Sequence, residues 1–397
     1  LTQSLYWRYL EIVSKKKLET QEGFYPGEYL IDVAQDLYDK YEDKLEYINE
    51  SEKENIVKHF ALKSMIHLIK EDLNALNIKH DVFFSEQTLH DSKAVSDSIA
   101  KLEKLDLVYT DILEPPKGKL PDNWVAREQL LFRSSNFGDD IDRPLTKEDK
   151  SWTYFASDMA YAENKIQRGF KLLIYIFGAD HGGYVTRTKA VINALSNNKV
   201  KCDIKLCQLV KFVENGKPLK MSKRKGVFTT ARDVIKEVGG DVVRFIMLTR
   251  KNDIELEFDI VKTKEQSKDN PVFYVQYAYV RSRSLLAKID SKMLDNADLT
   301  LLSKKPEMEL IKIIASFPHM VRNSSIACEP HRLAFYLIHL ASKFHTLWNY
   351  SKDGQFYRFI IENDNDITSS RLYLVRAVQQ VLKNGLGIIG INPLERM

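Results

Sequence analysis

Lysines gather beside a serine and a glycine in the string Lys220-Met221-Ser222-Lys223-Arg224-Lys225-Gly226. Such a cation patch can stabilise the charge that develops on a triphosphate as pyrophosphate leaves. Ser222 and nearby backbone N–H groups can hold phosphate oxygens. The same lysines could equally form a solvated turn. Tyr154 and Asp158 stand four residues apart, which puts them on one face of a helix. A carboxylate beside a phenol can grip a guanidinium in a planar, bidentate way. Read alone, the pair could also be a helix N-terminal carboxylate next to a core tyrosine. Asp180 and His181 follow the apolar run Leu172-Leu173-Ile174-Tyr175-Ile176-Phe177. They fall beyond the carboxyl end of a strand, where ligands sit in open α/β sheets. His181 as a packed structural histidine is the other reading.

Helices and strands must hold these residues. Leu30, Val33, Ala34, Leu37, Tyr38, Tyr41 and Leu45 recur at helical spacing, which predicts a helix over 29–47. Others are predicted over 56–76, 96–105, part of 152–168, and 185–195. Val82-Phe83-Phe84 reads as a short strand. The run 172–177 reads as a parallel strand buried on both faces. Ile204, Leu206, Gln208 and Val210 lie on one face of a following strand, 214–218 is a turn, and 231–238 and 241–250 read as helices. Strand, helix, strand order predicts a doubly wound α/β sheet. From residue 264 onward no strand pattern occurs, and helices are predicted over 270–287, 307–321, 334–350 and 371–383. The expected organisation is a largely helical region over 1–150, an α/β region over 151–263 and an all-α bundle over 264–397.

The formal net charge is +4 over 397 residues, yet residues 266–397 hold 17 Lys+Arg against 12 Asp+Glu, a net of +5. A mildly basic C-terminal region suits an RNA partner, although a solvated basic surface would read the same way. Cys202, Cys207 and Cys328 form no CxxC pair, so neither a disulfide framework nor a zinc site is expected, and a reducing cytoplasm is the simplest setting. No run of 18 apolar residues predicts a membrane span.

The string from Lys220 resembles the Lys-Met-Ser-Lys-Ser loop of class I aminoacyl-tRNA synthetases, with Arg224 in the fifth place. Thr153-Tyr154-Phe155-Ala156-Ser157-Asp158-Met159-Ala160-Tyr161, then Lys165 and Arg168-Gly169-Phe170, is similar to the arginine-pocket helix of arginyl-tRNA synthetases. Phe137-Gly138-Asp139-Asp140-Ile141-Asp142-Arg143 precedes it in family order. Gly178-Ala179-Asp180-His181, Gly183-Tyr184-Val185, the segment from Asn270 to Ala278 and the ending Pro393-Leu394-Glu395-Arg396-Met397 follow it. The resemblance implies a Rossmann-like catalytic fold interrupted by a helical insertion and followed by an anticodon-binding bundle. It implies a ligase that activates L-arginine with ATP, with Mg²⁺ on the phosphates, and transfers it to tRNA-Arg, acting as a cytoplasmic monomer. Tyr154, Asp158 and Asp180 would bind arginine. His181 and Met221 would lie against ATP with Lys220 and Lys223, and Lys220, Ser222 and Lys223 would be the catalytic group. Tyr277, Trp348, Asn349 and Met397 would meet the anticodon, since aromatics stack on unpaired bases; aromatics on bundle helices can also be core.

The family's His-Ile-Gly-His element and its N-terminal tRNA-binding domain have no counterpart here, and His59, His67, His80 and His90 do not supply one. The expectation is a chain that begins after the first half-site. The alternative is a non-catalytic tRNA-binding protein derived from a synthetase. A cysteinyl enzyme is disfavoured by the scattered cysteines.

Overall fold

The computed structural model describes residues 1–19, 22–25, 27–113, 127–219, 230–295, 297–353 and 357–397. Lys220, Met221, Ser222 and Lys223 lie outside the described residues. The chain folds as two compact units, one made of 1–79, 211–251 and 257–397, the other of 80–210 and 252–256.

In the first unit, α1 (Thr2–Ser14), α2 (Tyr29–Tyr41) and α3 (Glu50–Ala75) pack around Leu5, Tyr9, Val33, Ala34, Leu37, Leu45, Val57 and Ala61. The helix predicted over 29–47 ends at Tyr41, because Glu42 turns to φ 51° and its carbonyl accepts the Tyr9 hydroxyl at 2.6 Å. α3 starts six residues before its predicted start. Its first turn is polar and therefore silent in apolar periodicity; the Asn49 side chain caps it by accepting from the Glu52 N–H at 2.9 Å. Strands β6 (Val210–Glu214) and β7 (Lys217–Pro218) form a hairpin across Asn215 and Gly216, both at positive φ, as such two-residue turns require. β6 also pairs with β8 (Leu256–Asp259). Between them, α8 (Ala231–Val238) opens on a Thr230/Asp233 capping box and leads into α9 (Gly240–Met247).

Four helices complete this unit: α10 (Pro271–Leu286), α11 (Lys305–Ala327), α12 (His331–Asp353) and α13 (Asn365–Ile388). Each prediction found its helix, with ends displaced by caps such as Asp364, which accepts from Ile367. α12 buries Leu333, Leu337, Leu340, Phe344 and Leu347; α13 buries Leu372, Val375, Val378, Leu382 and Leu386. A buried ion pair joins α11 to α13: Arg371 Nε donates to Glu307 at 2.8 Å, with side chains 4% and 0% exposed. Arg371 also donates to the Arg358 carbonyl, and Glu307 accepts from the Lys304 N–H.

The second unit contains α4 (Gln87–Asp91), α5 (Ala94–Glu103), an antiparallel sheet of β1 (Val108–Ile112), β2 (Glu128–Phe132) and β3 (Arg143–Pro144), then α6 (Tyr154–Gln167), β4 (Leu172–Gly178), α7 (Tyr184–Ser196) and β5 (Lys201–Cys207). β4 and β5 pair in parallel with α7 as their crossover, the βαβ unit expected of an α/β fold. Three expectations are corrected. Val82-Phe83-Phe84 is not a strand; Phe84 instead stacks on Tyr161 at 4.3 Å between centroids. The strand predicted through Val210 ends at Cys207, where the Gln208 N–H turns to the Asn252 carbonyl. β4 is not covered on both faces: Leu173 is 5% exposed and joins the core, but Leu172, Ile174 and Ile176 are 47%, 45% and 72% exposed.

Candidate active site

The floor of the site is α6. Thr153 caps it by accepting from the Ala156 N–H, and Phe155, Ala156, Met159, Ala160 and Ala162 anchor its inner face in the core. With that face fixed, Asp158 and Lys165, two helical turns apart, are presented together. The wall is β4 and the turn after it. At Gly178 a Cβ would stand 2.4 Å from the Asp180 carboxylate, so any larger residue there would displace that side chain from the strand's end.

These elements enclose a cavity of about 510 Å³. Asp158, Lys165, His181 and Thr188 supply its polar atoms, and Phe155, Tyr161, Tyr175, Phe177 and Tyr184 much of its apolar surface. Asp158 opens onto the cavity, yet the surrounding protein removes enough water to raise its carboxyl above the ordinary range, and Glu86 adds to the rise, while Lys165 and Arg187 oppose it. The Lys165 ammonium sits 3.7 Å from the Tyr161 ring centroid and 4.3 Å from that of Tyr175, and donates to the Tyr175 hydroxyl at 3.3 Å. Burial brings its pKa down to about 8, against the pull of Asp158. His181 packs edge-on to Tyr184 at 5.3 Å, with Nε2 3.7 Å from the Asp180 carboxylate. A carboxylate with aromatic walls can select a planar cation.

Of the sequence candidates, Asp158 and His181 share this cavity, and Asp180 stands beside His181. Tyr154 is the first residue of α6, 76% exposed, with the Lys147 ammonium 5.3 Å from its ring; it is not among the lining residues. Asp139, Asp140, Asp142 and Arg143 form a structural knot instead. Arg143 makes two 2.7 Å bonds to Asp139, and Asp142 accepts from Tyr109, the Ser135 N–H and the Ser135 hydroxyl. Burial works against the Asp142 carboxylate, but those bonds hold it below the usual range. Sequence reasoning passed over the cage of Tyr161 and Tyr175 around Lys165; the seven-residue spacing from Asp158 was the signal available.

A second polar cluster lies in the helical bundle. Tyr277 of α10 and Trp348 of α12 are half-buried, and Arg281, one turn beyond Tyr277, stacks on both, its guanidinium carbon 4.0 Å and 5.2 Å from their ring centroids. Arg281 was missed in the sequence. Asn349 and Met397 are exposed. The tail is fastened to α10: Gln276 donates to the Asn392 carbonyl and accepts from the Leu394 N–H, both at 2.9 Å, and Arg283 donates to the Glu395 carbonyl.

Residues 275–397 match the DALR anticodon binding domain. Over 405 residues the chain is 51% identical to an arginine–tRNA ligase of Rickettsia bellii (strain OSU 85-389), covering all of this chain and 70% of that protein. It is 52% identical over 406 residues to the arginine–tRNA ligase of Orientia tsutsugamushi (strain Ikeda), covering all of this chain and 69% of that one. Among solved structures, a putative arginyl-tRNA synthetase from Campylobacter jejuni superimposes with a TM-score of 0.85 at 27% identity, over all of this chain and 81% of that one.

Proposed function

The chain belongs to the arginine–tRNA ligase family, and from that premise we propose how its residues divide the family's reaction. That reaction is the ATP-dependent activation of L-arginine and its transfer to tRNA-Arg. Region 151–263 carries activation, 1–150 is the insertion within the catalytic fold, and 264–397 reads the anticodon. One observation carries the assignment of the substrate pocket: Asp158 is the carboxylate of an aromatic-walled cavity large enough for a guanidinium side chain. Asp158 pairs with the guanidinium and Asp180 holds the amino-acid end, while Tyr154, exposed and outside the cavity lining, takes no part in this reading. His181 lies against the adenylate. Lys220, Ser222 and Lys223, with Met221 against ATP, act on the leaving pyrophosphate; this part rests on the sequence string alone.

ATP is a substrate of the family. Among the described residues no three His, Cys, Asp or Glu side chains converge on a metal position. In this reading Mg²⁺ enters with the triphosphate it neutralises, and no step is assigned to a protein-held ion. No helix among the described residues is long and apolar enough to cross a membrane. A cytoplasmic monomer completes the reading.

The test is Asp158→Asn. Loss of a charge-assisted bond is worth about 3 kcal/mol, so KM for arginine should rise roughly a hundredfold. The affinity for tRNA-Arg should stay within a factor of two or so. An unchanged KM for arginine removes Asp158 from the pocket assignment.

A further inference from the structure

The cluster in the bundle contains one buried group that none of the preceding roles uses. His345 of α12 is 5% exposed and sits behind Arg281. Its Nε2 lies 3.1 Å from the Tyr274 carbonyl oxygen, and its Nδ1 lies 3.1 Å from Arg281 Nη1. A carbonyl can only accept and a guanidinium can only donate. The partners therefore fix the ring as the neutral tautomer with hydrogen on Nε2 and a lone pair on Nδ1. Arg281 Nη2 donates at the same time to the Tyr277 hydroxyl at 2.8 Å. These two bonds use two of five guanidinium N–H donors and leave three for a ligand.

We infer that His345 is a positioning residue of the RNA-reading platform: it holds the Arg281 guanidinium stacked on Tyr277 and Trp348, with its free donors turned to an unpaired base or its phosphate. The inference rests on the reading of this platform as the anticodon site. Without the Nδ1 acceptor, Arg281 keeps one anchor of two, and its guanidinium can swing off the rings.

The groups facing His345 are the rings of Tyr274 and Tyr277 and the Arg281 guanidinium, all from α10, and the Phe344 ring of its own helix. Among the described residues no charged side chain of α11 or α13 bears on it. Burial lowers its pKa, the bond to the Tyr274 carbonyl raises it and Arg281 lowers it further. The ring is neutral at pH 7.5. Protonation would place a hydrogen between two cations and expel Arg281, so RNA binding weakens as pH falls below the ordinary histidine range.

The experiment measures Kd for a tRNA-Arg transcript by fluorescence anisotropy at constant salt, at pH 7.5 and pH 5.5, on the full chain. His345→Leu removes the acceptor and should raise Kd about tenfold at pH 7.5. His345→Gln can accept from Arg281 and donate to Tyr274, so it should stay within about threefold of the native chain. It should also lose the weakening expected of the native chain as pH falls from 7.5 to 5.5. Native affinity in His345→Leu, with weakened binding in Tyr277→Ala, keeps the platform and overturns the role of His345. Native affinity in Tyr277→Ala and Trp348→Ala as well overturns the platform reading itself. If His345→Leu does not fold, His345→Gln decides alone: a pH response equal to the native one overturns the inference.

Discussion

Lys165→Met should make the second unit more stable at pH 7, although it deletes a charge that has three contacts. The ammonium is held away from bulk water between Tyr161 and Tyr175, and burial lowers its pKa from 10.5 to about 8. That fall corresponds to at most about 3 kcal/mol of unfavourable environment for the charged form. The head group still faces an open cavity, so screening reduces the figure to about 1–2 kcal/mol. Methionine fills the same slot, keeps the contact with both rings and carries no charge. The pH dependence gives the sign. A lowered folded-state pKa means that the unfolded chain binds the extra proton between about pH 8 and 10.5, so native stability rises with pH through that window. The cost is fully present below pH 8. The advantage of Lys165→Met should therefore be about 1–2 kcal/mol at pH 7 and vanish near pH 10.5. Urea titrations read by hydrogen exchange on peptides from α6 to β5 report the second unit by itself. A variant less stable than the native chain at pH 7, or a difference equal at pH 7 and 10.5, would show that the cage stabilises the ammonium better than water does. A stability gain coupled to weaker arginine binding would mark Lys165 as kept for function.

Two further outcomes follow from the first unit. Glu307→Gln removes the charge that faces Arg371 in this buried pair and should cost about 3–5 kcal/mol in chemical denaturation, whereas Glu307→Leu with Arg371→Met should cost far less; equal losses would contradict this. Gly240→Ala places a Cβ 2.1 Å from the Ala75 carbonyl, where backbone must move, and should cost about 1–3 kcal/mol in the same assay; a neutral result would mean that α3 and α9 separate freely.

The four bundle helices were legible because their apolar positions recur at helical spacing over long stretches, as in Leu333, Leu337, Leu340, Phe344 and Leu347. Their ends were not, since caps such as Asp364 carry no periodicity. β4 was legible as a strand from its apolar run, but not its one-sided burial: composition cannot say which neighbours cover a face. β1 and β2 escaped notice because their pairing joins residues far apart in the chain. In the site, Asp158 and His181 announced themselves through motif strings. Lys165 stood in the same string without a role, and Arg281 and His345 stood in none, because what sets the three apart is geometry: a two-ring cage, a stack and a bond behind it.

The open face of β4 bears on the colloidal behaviour of the protein. Leu172, Ile174 and Ile176 form an aliphatic stripe on a ribbon that is two-stranded among the described residues. Exposed apolar stripes of this kind promote association, and these three positions carry no charge to oppose it. Sulfate and phosphate strengthen apolar burial, so concentrated solutions in those salts favour contact between stripes. Dilute handling in weakly salting-out buffers keeps molecules apart, and a lysine at Leu172, which lies outside the cavity lining, would act as a gatekeeper against association.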